Sequence, residues 1–177
     1  MSYCRPGKEY VRGDQIDPCF LRKAHVEEFA EVIAKECEFQ VGTDPKELVE
    51  DLNGRIHLLD IAELSNSNTS GSIFVHGTED FDICLPTYTS PLRDRFTIAH
   101  ELGHYFLHSA QGDIPIVAFR NGSTRIEWEA NWFAASLLMP KAEFRQAARL
   151  GLSVAALASR FGVSQEAARV RKEALGE

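Results

Sequence analysis

The chain has 177 residues, 44% of them hydrophobic, and a formal net charge of −7 at pH 7. This length is enough for one domain with a sizeable core, and the composition is ordinary for a soluble globular protein. No apolar run approaches the ~20 residues of a membrane span, and residues 1–10 lack the apolar segment of a signal peptide. The negative charge argues against a protein that binds nucleic acid with its whole surface.

The spacing of the four cysteines bears on whether the protein is in a reducing or an oxidising compartment. Cys4, Cys19, Cys37 and Cys84 form no CxxC pair. Because no export signal is apparent, we expect them to be reduced thiols and the protein to be cytoplasmic.

The first 54 residues predict two helices. Proline and glycine interrupt any period in residues 1–18. Apolar residues then recur at helical spacing between residues 19 and 39, with acidic residues on the exposed face. A shorter helix is predicted at 44–52, with Pro45 in its first turn.

The pattern then changes to the period of two that is typical of β-strands. We predict strands at 55–61, 72–76 and 81–86, which form a small, mostly antiparallel sheet. His57 and His76 lie in or beside these strands, and we expect packing or an ordinary hydrogen bond for each of them.

Residues 96–108 contain the sequence His-Glu-x-x-His. On an α-helix, residues four apart lie on one face with Cβ atoms roughly 5–6 Å apart, so His100 and His104 can bind one ion. Glu101 follows the first histidine and can serve as a general base beside that ion. A metal site is therefore predicted on this segment.

The surrounding residues predict that this segment is a packed helix. An apolar stripe recurs at helical spacing, and Ser90 and Pro91 provide a start signal. Gly103 interrupts the pattern, at a cost of about 1 kcal/mol relative to alanine. We infer that another segment approaches Gly103 too closely for a Cβ.

Two histidines do not complete a catalytic zinc site, which usually has three protein ligands and an open position for water. The helix predicted at 125–139 offers a third ligand. Glu127 shares a helical face with small residues, which favours tight packing against another helix, and it is the preferred ligand. Glu129 lies on another side and is the alternative. The competing explanation for Glu127 is a glutamate favoured in the first turn by the helix dipole.

The remaining segments are a long connection and short helices. Residues 109–124 include an apolar run that predicts a short strand or a flap over the site. Helices are predicted at 142–149, 153–161 and 164–175. The last two flank a glycine turn and resemble a helix-turn-helix, but we favour a helical hairpin that closes the core.

Three stretches resemble the ImmA/IrrE family of metallo-endopeptidases. The first runs from Arg95 to Tyr105 and is followed by His108. The second runs from Glu127 to Pro140, and the third closes the chain between Leu157 and Arg171. The resemblance covers roughly residues 55–175 and is specific, because separate signatures occur in the right order.

The resemblance implies an α+β fold, a minimal zincin-like domain of the gluzincin type. We expect a three-stranded, mostly antiparallel sheet packed on the HExxH helix and a following ligand helix, with a C-terminal helical hairpin. One metallopeptidase domain would span residues 1–177. It would comprise N-terminal helices (1–54), the sheet and metal-binding helices (55–140) and the helix-turn-helix-like segment (141–177).

The resemblance also implies site roles. His100, His104 and Glu127 would bind Zn²⁺, with Mn²⁺ as the alternative ion, and Glu101 would be the general base. A group that stabilises the developing oxyanion is expected as well. The candidates for stabilising the transition state or for contacting the metal ligands are Tyr105, His108, Asn131 and Tyr88.

The implied substrate is a helix-turn-helix transcriptional repressor, cleaved to relieve repression under stress or on mobile-element induction. We expect the substrate to lie extended beside an exposed strand, residues 81–86. Neither a membrane nor a nucleic acid is an expected direct partner. The alternative function is a non-proteolytic repressor- or DNA-binding regulator with a structural or vestigial metal site.

Overall fold

The structure is a computed structural model, and it describes residues 16–59, 71–119 and 124–177. It has an α+β fold, as predicted. The elements in chain order are α1 (Lys23–Glu36), α2 (Pro45–Asp51), β1 (Arg55–Leu59), β2 (Ser72–Gly77), β3 (Asp80–Pro86), α3 (Pro91–His108), β4 (Ile116–Phe119), α4 (Arg125–Leu138), α5 (Lys141–Arg149), α6 (Val154–Phe161) and α7 (Gln165–Leu175). None of these helices combines the length and apolar character that a membrane crossing requires.

The described strands form one sheet in the order β1-β3-β2-β4. β1 pairs with β3 in parallel, and the other two pairs are antiparallel. The sheet is mostly antiparallel, as predicted, but it has four strands instead of three. The fourth strand lies within residues 109–124, so the short-strand alternative for that segment is correct. Its four residues are too few for a clear period of two.

The predicted edge strand is wrong. Residues 81–86 belong to β3, which lies between β1 and β2 in the interior of the sheet. Of the described strands, β1 and β4 lie at the edges. The error has a physical reason, because neighbouring strands in the sequence need not be neighbours in space when a parallel crossover is present.

The two faces of the sheet have different roles. Alternate residues of β3, Phe81, Ile83 and Leu85, are buried in the main hydrophobic core. Asp82 lies on the opposite face and accepts hydrogen bonds from nearby groups that include His57 and His76, at 2.9 and 3.0 Å. These histidines therefore make the ordinary hydrogen bonds expected of them.

The cysteines differ from the prediction. Cys19 and Cys37 are free, but Cys84 is disulfide-bonded, so the expectation of four reduced thiols is wrong for this residue. Sequence spacing reveals only local cysteine pairs, whereas a disulfide joins cysteines that folding brings together. Cys4 lies outside the described residues, as do residues 60–61 at the end of the first predicted strand.

The helices pack around α3. Its residues from Thr97 to Phe106 are all buried, because α4 covers one side and the sheet another. α1 packs against α4, and its buried residues Val26, Ala30 and Ile33 recur at helical spacing. This arrangement places the HExxH segment between two layers of structure.

The C-terminal helices α6 and α7 form the predicted pair. Gly162, with φ of 61°, provides the left-handed turn between them, and the Ser164 hydroxyl caps α7. The buried Arg171 donates hydrogen bonds to the carbonyl oxygen of Met139 and the hydroxyl of Ser136, at 3.1 and 3.2 Å. The pair is thereby fixed to the end of α4, in keeping with a hairpin that closes the core.

Candidate metal centre

Two histidines and one glutamate converge between α3 and α4. His100 and His104 lie one turn apart on α3, with their Nε2 atoms 3.2 Å apart. Glu127, in the first turn of α4, places Oε2 3.3 Å from His100 Nε2 and Oε1 3.5 Å from His104 Nε2. All three side chains are buried. The N-cap Thr124 accepts a hydrogen bond from the Glu127 N–H and so begins the helix at the right place.

These distances fit a metal ion. Four ligands placed tetrahedrally at 2.0–2.1 Å from zinc lie roughly 3.3 Å from one another. The three pairs of donor atoms here are 3.2 to 3.5 Å apart. A cation at their centre could therefore bind all three without a large movement.

The charge state of Glu127 also suits a ligand. Burial alone would raise its pKa, but the imidazoles of His100 and His104, which donate to the carboxylate and attract it when they are protonated, lower the pKa to about 2. The carboxylate therefore stays ionised near neutral pH, which is the form that binds a metal.

Asn131 sets the orientation of His100. Its Oδ1 lies 3.0 Å from His100 Nδ1, so the imidazole donates its single proton there. Nε2 is then left with a lone pair that faces the Glu127 carboxylate. Two acceptors facing each other are unfavourable unless a cation lies between them, so this pairing too favours a metal.

Glu101 is fully buried, and its carboxylate lies beside Gly71, the residue before β2. An ideal Cβ on Gly71 would be 2.8 Å from Glu101 Oε1 and 2.5 Å from a methyl carbon of Thr97. A larger residue at position 71 would therefore displace Thr97 or the Glu101 carboxylate where the chain enters β2. Gly71 was not predicted as a site residue, because its one signal in the sequence is a glycine directly before a strand.

The other predicted site residues lie in different places. The Tyr105 hydroxyl accepts a hydrogen bond from the Glu79 N–H at 3.4 Å, and its ring packs on Phe81, so Tyr105 points into the sheet core. Tyr88 is 62% exposed in the turn before α3. Neither tyrosine belongs to the group of His100, His104 and Glu127.

His108 and Glu129 pair with each other. His108 Nε2 lies 3.0 Å from Glu129 Oε2, and both side chains are fully buried. With Cys19 they make up a second group of metal-ligand type among the described residues. His108 and Glu129 were each predicted as candidates, but their contact was not, because no local pattern connects residues 21 positions apart.

Comparisons with known proteins identify the family of this chain. The model of the Peptidase M78 family, described as the IrrE N-terminal-like domain, matches residues 56–173, which is more than half of the chain. No curated protein matches. A solved structure described as a Mycobacterium tuberculosis transcriptional regulator is similar in fold, with a TM-score of 0.55 and 19% identity. The match covers 82% of this chain but only 45% of that one. The extent of the family match shows that this chain belongs to the ImmA/IrrE family, whose domain is peptidase-like.

Proposed function

We propose that this protein is a zinc-dependent endopeptidase in which His100, His104 and Glu127 hold the ion. The observation that carries the proposal is the convergence of three buried donor groups within 3.5 Å of one another. A further buried carboxylate, Glu101, adjoins His100 in the chain, and a purely structural site would not need it. Membership of a peptidase family supports the same conclusion.

The proposed reaction is hydrolysis of a peptide bond. A divalent cation in this group would polarise the scissile carbonyl and lower the pKa of a water molecule to about 7. Glu101 takes a proton from the attacking water, whose oxygen bonds to the carbonyl carbon. When the C–N bond breaks, Glu101 returns that proton to the leaving amine. Asn131 keeps the His100 ring oriented throughout.

We propose β4 as the strand that holds the substrate. β4 lies at an edge of the sheet, and its last residue, Phe119, pairs with Ser72, next to Gly71 and the Glu101 carboxylate. An extended peptide that adds to β4 would form main-chain hydrogen bonds and run toward Glu101. β4 thus takes the place of residues 81–86 as the strand that the substrate lies beside, because residues 81–86 are inside the sheet.

The proposed substrate is a helix-turn-helix repressor, cut to relieve repression under stress or on mobile-element induction. The family supports a protein substrate, and the similar solved structure is described as a transcriptional regulator. Zn²⁺ is the proposed ion, because two imidazoles and one carboxylate are typical of its catalytic sites.

The proposed location is the cytoplasm, where a repressor acts. The free thiols of Cys19 and Cys37 fit a reducing compartment, whereas the disulfide at Cys84 does not. Alkylation of thiols in intact cells tests the location directly. A reduced Cys84 in that experiment supports the cytoplasm, and an oxidised Cys84 contradicts it.

The alternative of a DNA-binding regulator has weaker support. On the exposed side of α7, Arg169 forms ion pairs with both Glu166 and Glu173, which leaves no excess positive charge for phosphates. Another side of α7 lines a cavity of about 590 Å³ together with α3 and α4. Neither surface resembles a basic recognition helix.

The experiment that tests the proposal compares wild-type protein with Glu101→Gln. Both are loaded with zinc, incubated with candidate repressors and examined by mass spectrometry of the fragments. We expect cleavage by the wild type, at least a 100-fold lower rate for the variant, and equal zinc content in both. Cleavage by Glu101→Gln at the wild-type rate would exclude Glu101 as the base.

A further inference from the structure

We propose that His108 and Glu129 are positioning residues that fix the tautomer of His104 and so prepare it to bind the metal. The inference rests on the proposed function in one respect, the assignment of His104 as a ligand. It concerns two side chains that bind neither the metal nor the substrate in the proposed mechanism.

A continuous line of hydrogen bonds runs from the proposed ligand His104 through His108 to Glu129 on α4. His108 follows His104 by one turn of α3, and their Nδ1 atoms are 3.1 Å apart. His108 Nε2 lies 3.0 Å from Glu129 Oε2. Because all three side chains are buried, water does not compete for these hydrogen bonds.

Glu129 is held as an acceptor at the end of this line. Its Oε1 accepts a hydrogen bond from Arg125 Nε at 2.8 Å, and its Oε2 accepts one from the Cys19 N–H at 2.9 Å. The guanidinium of Arg125 also donates to the carbonyl oxygen of Leu21. The segment before α1 and the first turn of α4 thus hold the carboxylate in place.

The protons available for these hydrogen bonds determine the tautomer of His104. An ionised carboxylate only accepts, so His108 must carry its proton on Nε2. A neutral imidazole has one such proton, so His108 Nδ1 is an acceptor, and His104 must donate from its own Nδ1. His104 Nε2 is then left with a lone pair, directed at the position between His100 and Glu127.

A second metal site at Cys19, His108 and Glu129 is the competing explanation of this cluster. If His108 Nε2 bound a cation, its proton would move to Nδ1 and be donated to His104 Nδ1. His104 would then carry its own proton on Nε2, where the first ion has to bind. Neutral imidazoles therefore cannot serve both groups at once, and the Arg125 guanidinium on Glu129 disfavours a second cation.

The variants that test this are His108→Leu and His108→Gln, with His25→Leu as a matched control. His25 is exposed on α1 and belongs to neither group. Leucine removes both hydrogen bonds, whereas glutamine can accept from His104 and donate to Glu129. We expect His108→Leu to bind zinc roughly 10- to 100-fold more weakly, as for other partners of metal ligands. His108→Gln should recover most of the affinity, and His25→Leu should match the wild type.

The affinities are measured by competition with a chelator, with circular dichroism as the check of folding. Wild-type affinity in a folded His108→Leu protein would overturn the inference. So would a second zinc per wild-type chain that His108→Leu loses, because that result identifies a second metal site.

A separate measurement needs no variant and no activity. ¹⁵N NMR of the imidazoles in the metal-free wild type should show the proton of His104 on Nδ1 and that of His108 on Nε2. The opposite tautomers would overturn the inference even if the protein is a peptidase. The expected tautomers in a protein that cleaves nothing would support the positioning role while the proposed function fails.

Discussion

An ideal Cβ on Gly103 of α3 would lie 3.0 Å from the Cα of Ala130 on α4. The helices α3 and α4, which carry the proposed ligands, are therefore in contact through the backbone at Gly103 and the backbone and methyl group of Ala130. Glu127 precedes Ala130 by three residues, so the separation of the helices at this contact sets its distance from His100 and His104. The expectation that Gly103 marks a close approach is confirmed.

Gly103→Ala should push the two helices apart by a few tenths of an ångström. The gain in helix propensity of about 1 kcal/mol is opposed by overpacking of about 1–3 kcal/mol, so we expect a net loss of about 1 kcal/mol in the free energy of unfolding. Zinc affinity should fall as well, because Glu127 moves away from the histidines. Urea unfolding and chelator competition measure the two effects.

The control for this substitution is Gly77→Ala, because a Cβ on Gly77 meets no atom within 4 Å. It should leave zinc affinity unchanged. Equal affinities for Gly103→Ala and wild type would show that the contact with Ala130 does not set the geometry of the site.

Glu127→Ala should lose the ion under conditions in which Glu129→Gln keeps it. Glu127 faces both His100 and His104, whereas Glu129 contacts His108. Glutamine at 129 can still accept the proton of His108, so that variant preserves the line of hydrogen bonds. Elemental analysis after dialysis against a metal-free buffer distinguishes them. Retention of zinc by Glu127→Ala would move the third ligand elsewhere.

Asn131→Leu should weaken zinc binding roughly 10- to 100-fold, because His100 loses the acceptor that orients its ring. Asn131→Asp retains an acceptor at the same place and should bind zinc at least as tightly as the wild type. Chelator competition on both variants provides the test. If the leucine and aspartate variants bind equally, the hydrogen bond to His100 has no role in holding the metal.

The stability of the metal-free protein should depend on the protonation of His108. Burial and the nearby charge of His104 lower its pKa from 6.5 to about 4. Between these values the unfolded chain binds a proton that the folded chain excludes, so the free energy of unfolding falls as the pH falls from about 7 to about 4. The full difference corresponds to about 3 kcal/mol.

His108→Gln lacks this titration and is the comparison for the pH experiment. Its unfolding free energy should fall by about 3 kcal/mol less than that of the wild type between pH 7 and pH 4. Urea unfolding at several pH values measures both curves. Parallel curves would mean that His108 takes up its proton equally in the folded and unfolded chains.

The local features of the metal helix could be predicted from the sequence. The spacing of His100 and His104 places them on one face of any helix, and Gly103 marks a contact whatever the partner. The partner itself, Ala130, could not be identified, because it is distant in the chain. Glu127 could be preferred over Glu129 from its helical face, but its approach to the histidines depends on how α4 crosses α3.

Features that depend on long-range pairing were missed for the same reason. The position of β3 inside the sheet follows from the parallel pairing of Arg55–Leu59 with residues 82–86, which no local pattern encodes. The contact of Glu129 with His108 and with the Cys19 N–H joins three distant parts of the chain. Each of these contacts is decided by tertiary packing and not by propensity.

A crystal structure of the zinc-loaded protein, with anomalous scattering at the zinc edge, tests the central claim most directly. We predict one ion, bound by His100 Nε2, His104 Nε2 and a carboxylate oxygen of Glu127 at about 2.0–2.2 Å. An ion at Cys19, His108 and Glu129 instead, or a Glu127 side chain turned away from the bound ion, would contradict the claim.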